Sequence, residues 1–407
     1  MTAGADLAAS HPVPVEPWPG PRPTHASGPR LLFVVNQARF FVTHRLPLAV
    51  AAAQAGYDVH VAVPNGPSVE RVEAAGLPVH PVAFDRGGMN PVADARTLGA
   101  LYRLYRALRP DLVHHVTVKP VLYGSLAARA AGVPAVVNAV SGLGYLEIAR
   151  GRRARAARAV VRGLYAHAFH HRALRVIFQN PDDRAGFEAS GIVAPGQAVT
   201  ILGSGVDLDA FAPRAAPPGP PVVVLAARML WDKGVGEFVE AARRLRAGGV
   251  PARFVLVGGT DENPTGVPRA TLDAWARERV VEWWGQRDDM PRVLGEAAVV
   301  CLPSYREGCP KVLLEAAACG RPAVTTDVPG CRDVVRHGEG GLLVPARDPA
   351  ALAAALGRLL ADPVERARSG RRARQRAEQQ FGVEQVIAAT LAIYGELAPA
   401  GARQRGS

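Results

Sequence analysis

Two glutamates eight residues apart, Glu307 and Glu315, stand in the run R-E-G-C-P-K-V-L-L-E-A-A-A-C-G that ends at Gly320. Pro310 suits the first residue of a helix, where a missing N–H costs nothing, and Gly320 suits the position just past its end. Glu307 then sits on a loop at a helix N-terminus and Glu315 inside the helix. Unpaired backbone N–H groups and the helix dipole attract anions there, and Gly308 lets a ligand approach the main chain with no Cβ in the way. A diphosphate and a hydroxyl-bearing sugar fit such a place. The spacing alone equally fits a helix-entry charge and a solvated helix residue. The preceding V-V-C-L-P-S-Y favours the ligand, because it reads as a short buried strand and open α/β sheets bind ligands at strand C-termini.

Lysine usage marks further candidates. Of 48 basic residues only Lys119, Lys233 and Lys311 are lysines. A compact ammonium with three donors on a flexible stem has a geometry at phosphate that arginine does not reproduce. Lys233 follows Arg228 by five residues, in a loop after a strand, and Gly234 opens the next helix. That spacing could place two cations and a helix N-terminus around one anion. Asp288-Asp289 is expected to cap the following helix.

The run L-P-S-Y-R-E-G-C-P-K-V-L-L-E-A-A-A-C-G-R-P-A-V-T-T-D-V-P-G-C-R-D, with A-A-R-M-L-W-D-K-G-V-G-E-F and V-G-G-T-D-E-N-P upstream, resembles the nucleotide-sugar site of retaining glycosyltransferase family 4. Within that family it is similar to the bacterial CapM-like branch, which includes an N-acetylgalactosaminyltransferase acting on diacetylbacillosaminyl-diphospho-undecaprenol. The likeness extends from about Leu31 to about Tyr394. It is thinner in the first half, where it rests on F-V-T-H-R-L-P, G-G-M-N-P, K-P-V-L-Y-G-S-L-A-A-R and G-L-G-Y.

The resemblance implies the GT-B architecture, two Rossmann-like α/β domains facing each other across a cleft. It also implies retention of configuration, a UDP-sugar donor, no cofactor and no metal. Arg228 and Lys233 would clamp the diphosphate, Glu307 would position the sugar, and Glu315 would accept from the ribose diol. Gly285, Arg287, Gly308, Cys309, Pro310 and Lys311 would complete the donor site. The family usually has a larger apolar residue where Cys309 stands. His44, Arg45, His114, His115 and Lys119 would face a lipid-linked (undecaprenyl-diphosphate) acceptor, with His114 and Lys119 matching the family's H-x4-K piece. With eleven histidines in the chain, structural roles for these rings stay open.

The chain must supply a scaffold for these loops. Short apolar runs alternate with helical segments: L-L-F-V-V-N, D-V-H-V-A-V, G-L-P-V-H-P-V, D-L-V-H-H-V, P-A-V-V-N-A-V and R-V-I-F-Q-N, then P-V-V-V-L-A-A, R-F-V-L-V-G-G, V-V-E-W-W-G and A-V-V-C-L-P. That alternation predicts parallel sheets covered on both faces. A length of 407 residues suits two domains. The reading places an acceptor domain at 30–214, a linker at A-A-P-P-G-P-P (215–221), a donor domain at 222–381, and a helix and tail at 382–407. Met1–Pro29 is proline-rich without periodicity, so it reads as a disordered tail. G-x-G-x-x-G after the first strand and G-x-x-x-x-G-K-[ST] are both absent, which disfavours a dinucleotide oxidoreductase and a P-loop kinase.

Charge and cysteines narrow the setting. Four cysteines with no C-x-x-C pair read as buried thiols rather than a zinc site or a disulfide framework. No apolar run reaches the ~18 residues of a membrane span, so the chain is expected in the cytoplasm. The net charge is +12, and Arg150–Arg175 carries eight arginines with no acidic residue. With Val160, Val161, Leu164, Tyr165, Ala168 and Phe169 at helical spacing, this segment reads either as a core-packed helix or as a basic amphipathic helix docking on the anionic inner face of the membrane. Nucleic acid is disfavoured, because no aromatic-interleaved basic motif is present. A sugar-nucleotide epimerase on the same fold, or a non-catalytic sugar-nucleotide-binding subunit, stay open as other readings. The epimerase would turn over donor alone, and the subunit would bind without turnover.

Overall fold

A computed structural model describes residues 28–85, 90–141, 152–215, 217–261 and 263–397, without the side chains of 152–158. The proposed tail through residue 27, most of G-G-M-N-P, and G-L-G-Y lie outside the described residues.

The first sheet is wholly parallel. Its strands are β1 (Arg30–Val35), β2 (Asp58–Val63), β3 (Val79–Pro81), β4 (Leu112–Val116), β5 (Ala135–Val140), β6 (Leu174–Phe178) and β7 (Ala198–Thr200), in the order β3-β2-β1-β4-β5-β6-β7. The near-continuous apolar runs seen in sequence are what a sheet buried on both faces requires. Leu31, Phe33 and Val35 point into one core and Leu32 and Val34 into the other. The strand order reverses between β1 and β4, which leaves a crevice at their C-terminal ends.

The second sheet repeats this plan. Strands β8 (Val222–Ala226), β9 (Arg253–Val257), β10 (Glu282–Trp283), β11 (Val299–Leu302), β12 (Ala323–Thr326) and β13 (Gly341–Val344) run parallel in the order β10-β9-β8-β11-β12-β13. Here the order reverses between β8 and β11, which pair Val223 with Val299 and Val224 with Val300. The loop after β8 carries Arg228 and Lys233, and the loop after β11 carries Glu307. Topology therefore makes neighbours of two motifs about seventy residues apart.

The division between units falls at Gly205/Val206 and Gly382/Val383 rather than in the proline-rich 215–221 segment. Residues 206–214 belong with the second sheet because they are bonded to it. Val206 donates to the Phe381 carbonyl, Phe211 is buried, and Arg374 donates to the carbonyls of Leu208 and Ala318. The C-terminal helix Val383–Leu397 returns to the first unit, where Val386, Ile393 and Tyr394 enter its core.

The first unit also buries two imidazoles, His114 and His115, in strand β4. His115 is pushed down to about 4 by burial, and His114 is held well below the ordinary histidine value by burial and by Arg45. The unfolded chain therefore binds protons that the folded chain refuses between about pH 6.5 and 4, so stability falls as pH drops through that window. His115 alone contributes roughly 3 kcal/mol of that loss by pH 4. Calorimetry from pH 7 to 4 should show a falling Tm for the first unit, and a Tm constant over that range would contradict neutral burial of these rings.

Candidate active site

The second unit gathers the donor-site candidates around one carboxylate. Glu307 lies in the loop between β11 and the helix Lys311–Ala318, with its side chain 11% exposed. Lys233 Nζ donates to Glu307 Oε1 at 2.5 Å, and Ser304 Oγ donates to the same oxygen at 2.6 Å. Lys233 closes a single 3-10 turn, Trp231–Lys233, and Gly234 follows at φ +72°. Only glycine is at ease there, since the left-handed region strains other residues and a Cβ would run into the Pro303 carbonyl. The two loops are tied again where Tyr305 N donates to the Asp232 carbonyl at 2.9 Å. Gly330, at φ +82°, packs so closely that a Cβ would lie 2.7 Å from the carbonyl oxygens of Glu307 and Gly308.

Glu315 is on the buried face of its helix, and Lys311 Nζ donates to its Oε1 at 2.6 Å. Burial pushes this carboxyl up, against the pull of Lys311. Pro310 occupies the position before the helix rather than its first residue, and its carbonyl accepts from Leu313 N. Cys309 is partly exposed as a residue, but burial of its thiol, with Asp333 and Glu307 nearby, pushes that thiol up; the other three cysteines are buried. All four are free, as the sequence reading expected.

Arg228 is 56% exposed and donates to Asp261 Oδ2 at 2.9 Å, so it faces the loop after β9 while Lys233 faces Glu307. Gly285 has φ +65°, a Cβ there would meet no atom within 4 Å, and its carbonyl accepts from Gly258 N at 2.7 Å. The expected capping role for Asp289 is corrected. Asp289 stands at the helix N-cap but makes no side-chain cap bond. Its carboxylate takes two bonds from Arg287, at 2.8 and 2.7 Å, and that pairing holds the carboxyl below its ordinary range.

The first unit treats its candidates differently. His114 and His115 were expected at a strand end beside a ligand, and the structure corrects this. Both lie within β4, at 1% and 0% exposure. His114 Nδ1 shares a 2.5 Å hydrogen bond with the Tyr394 hydroxyl, and His115 bonds Tyr105 and Asn138. Two adjacent residues in a strand buried on both faces have nowhere to point but into the two cores. Arg45 is also buried, at 4%, and burial lowers it to about 10. His44 is partly exposed and stacks on Phe40 at 4.1 Å. Lys119 pairs with Asp94 at 2.8 Å.

Sequence reasoning missed Asn36 and Thr117, which stand at the C-terminal ends of β1 and β4. Thr117 Oγ1 donates to Asn36 Oδ1 at 2.8 Å, and Thr117 has φ +76°, a strained conformation for a β-branched residue. No sequence signal marks a non-glycine residue in that region. Its position between His114 and Lys119 was the available pointer.

Residues 30–180 match the glycosyl transferase 4-like family, and residues 220–362 match glycosyl transferases group 1. A Campylobacter jejuni protein, N,N'-diacetylbacillosaminyl-diphospho-undecaprenol alpha-1,3-N-acetylgalactosaminyltransferase, is 30% identical over 363 residues, which is 86% of this chain and 94% of that one. The chain belongs to this glycosyltransferase family. The glycosyltransferase is also 26% identical, over 67% of its length and 72% of the relative's, to an Escherichia coli UDP-Gal:alpha-D-GlcNAc-diphosphoundecaprenol alpha-1,3-galactosyltransferase. Among solved structures it shares the GT-B fold with sucrose-phosphate synthase from Thermosynechococcus elongatus (TM-score 0.75, 22% identity, 90% of this chain and 99% of that one). The Anabaena protein HepE in complex with UDP and glucose is similarly related (TM-score 0.73, 17% identity, 90% and 99%).

Proposed function

We propose that this glycosyltransferase moves a sugar, an N-acetylhexosamine by preference, from its UDP form to an undecaprenyl-diphosphate-linked acceptor in surface-glycan assembly, with retention of configuration. The observation that carries the donor half is the convergence of Lys233, Ser304 and Glu307 where the second sheet reverses its strand order. The acceptor half is supported by the names of the Campylobacter and E. coli relatives.

In this reading the diphosphate lies near Lys233 and Arg228, beside the helix that Gly234 opens. Its charge grows as the anomeric C–O bond breaks, and fixed cations lower that barrier. Glu307 takes sugar hydroxyls, Glu315 meets the ribose, and the uncrowded face of Gly285 meets the base. Attack comes from the face the leaving phosphate vacates, with that phosphate taking the acceptor's proton. Asn36 and Thr117 join Lys119 on the acceptor side. Thermal-shift screening of nucleotide sugars tests the donor. UDP-N-acetylhexosamines should raise the Tm and GDP- and dTDP-sugars should not; the opposite order would reject the UDP assignment.

No helix among the described residues is long and apolar enough to cross a membrane. Within Arg152–Ala168 and just beyond, Tyr165, Ala168 and Phe169 are buried in the first unit's core, Val161 and Leu164 pack against it, and Val160 is exposed, so most of the apolar stripe is taken up by the core. Attraction of the enzyme to the inner membrane face then rests on the arginines, at about 1 kcal/mol for each one near an anionic surface. Liposome sedimentation should show binding that needs acidic lipid and vanishes at high salt. Exchanging Arg152, Arg153, Arg155 and Arg158 for glutamine should abolish it. Equal binding to neutral vesicles would remove the membrane from this reading.

A further inference from the structure

Glu307 must present a carboxylate to the donor sugar while its neighbour Lys233 serves a diphosphate. The lysine is bonded to the glutamate. Both hydrogen bonds to Glu307, from Lys233 and from Ser304, land on Oε1, and among the described residues no donor is on Oε2. One oxygen is held, and the other is left for a hydroxyl.

Ser304 is suited to hold it without help. It is fully buried, and its carbonyl accepts from Thr326 Oγ1 on the adjacent strand β12. Thr325 Oγ1 donates in the same way to the Leu302 carbonyl at 2.6 Å, so the exit of β11 is fixed on both sides of Pro303. These bonds use main-chain oxygens and leave the serine hydroxyl free to donate. A neutral hydroxyl does not compete for a phosphate as an ammonium does, so its bond to Glu307 survives the arrival of a dianionic ligand.

We infer that Ser304 is a positioning residue for this transferase, keeping the Glu307 carboxylate aimed at the donor sugar when the diphosphate draws Lys233 away. This rests on the reading of Glu307 as the sugar's partner. The bond needs a donor hydroxyl at this position and makes no contact with the nucleotide. Its loss should therefore show in sugar recognition and turnover, and not in UDP binding.

The test compares wild type, Ser304→Ala, Ser304→Thr and Ser304→Cys by calorimetry with UDP and with the UDP-sugar, alongside steady-state transfer. Ser304→Ala should bind UDP as wild type does, lose the preference for UDP-sugar over UDP, and lower kcat by about 10- to 100-fold. Ser304→Thr should restore most of both. Ser304→Cys keeps the volume with a weak donor, so it should resemble alanine and serves as the readout if the alanine variant does not fold. Wild-type kcat and sugar preference in the alanine or cysteine variant would overturn the inference. So would failure of threonine to rescue, or equal loss of UDP affinity, which would mark a merely structural residue. A wild-type enzyme with no preference for UDP-sugar over UDP would instead reject the functional reading itself.

Discussion

Lys233→Ala should lower kcat/KM by roughly 10²- to 10³-fold, the usual effect of removing one fixed group that stabilises transition-state charge. UDP affinity should fall with it, since the ammonium is read as a partner of the ground-state diphosphate too. Lys233→Arg should also be impaired. The lysine sits at the close of a tight turn with its Nζ 2.5 Å from Glu307, and a planar guanidinium does not fit the place of a compact three-donor head. Arg228→Ala should be milder, because that side chain is more than half exposed and engaged with Asp261. Calorimetry with UDP and initial-rate kinetics check both, and unchanged UDP affinity in both alanine variants would reject the diphosphate assignment.

Glu307→Gln should separate sugar from nucleotide. The amide keeps the shape of the side chain and can still accept from Ser304, but it no longer presents a charge to the sugar. A drop in kcat of about 10²-fold with UDP affinity nearly unchanged is expected, because Glu307 is read as the partner of the sugar and not of the nucleotide. If UDP affinity collapsed while kcat held, Glu307 and Glu315 would have exchanged roles. Glu315 is the buried member of the pair, tied to Lys311 within one helical turn, so its replacement also strands a lysine.

The candidate site of the second unit was legible because its residues are local in sequence. Glu307 through Glu315 is one loop and one helix, Arg228 through Gly234 is one turn, and the strands leading into both are continuous apolar runs. What joined them was the strand order, which no local pattern specifies. Ser304 escaped notice because a serine before a loop carries no signal until its hydroxyl is seen on Glu307. The first unit was harder to read. His114 and His115 looked poised because histidine is chemically versatile, but adjacent positions in a doubly covered strand face two cores and their partners come from afar, Tyr394 from the far end of the chain. Strands β7, β12 and β13, three or four residues each, were not predicted as strands. The unit boundary at Val206 was hidden because contacts of Phe211 and Arg374, not composition, decide it.

Sugar transfer to a lipid diphosphate is tested most directly by the product. The purified enzyme, a UDP-α-N-acetylhexosamine and an undecaprenyl-diphosphate sugar should yield UDP and a lipid extended by one sugar, whose anomeric proton in NMR reports an α linkage. A β linkage would contradict retention. Release of free sugar, epimerisation of the donor with no acceptor needed, or nucleotide binding with no product from any acceptor would contradict transfer itself.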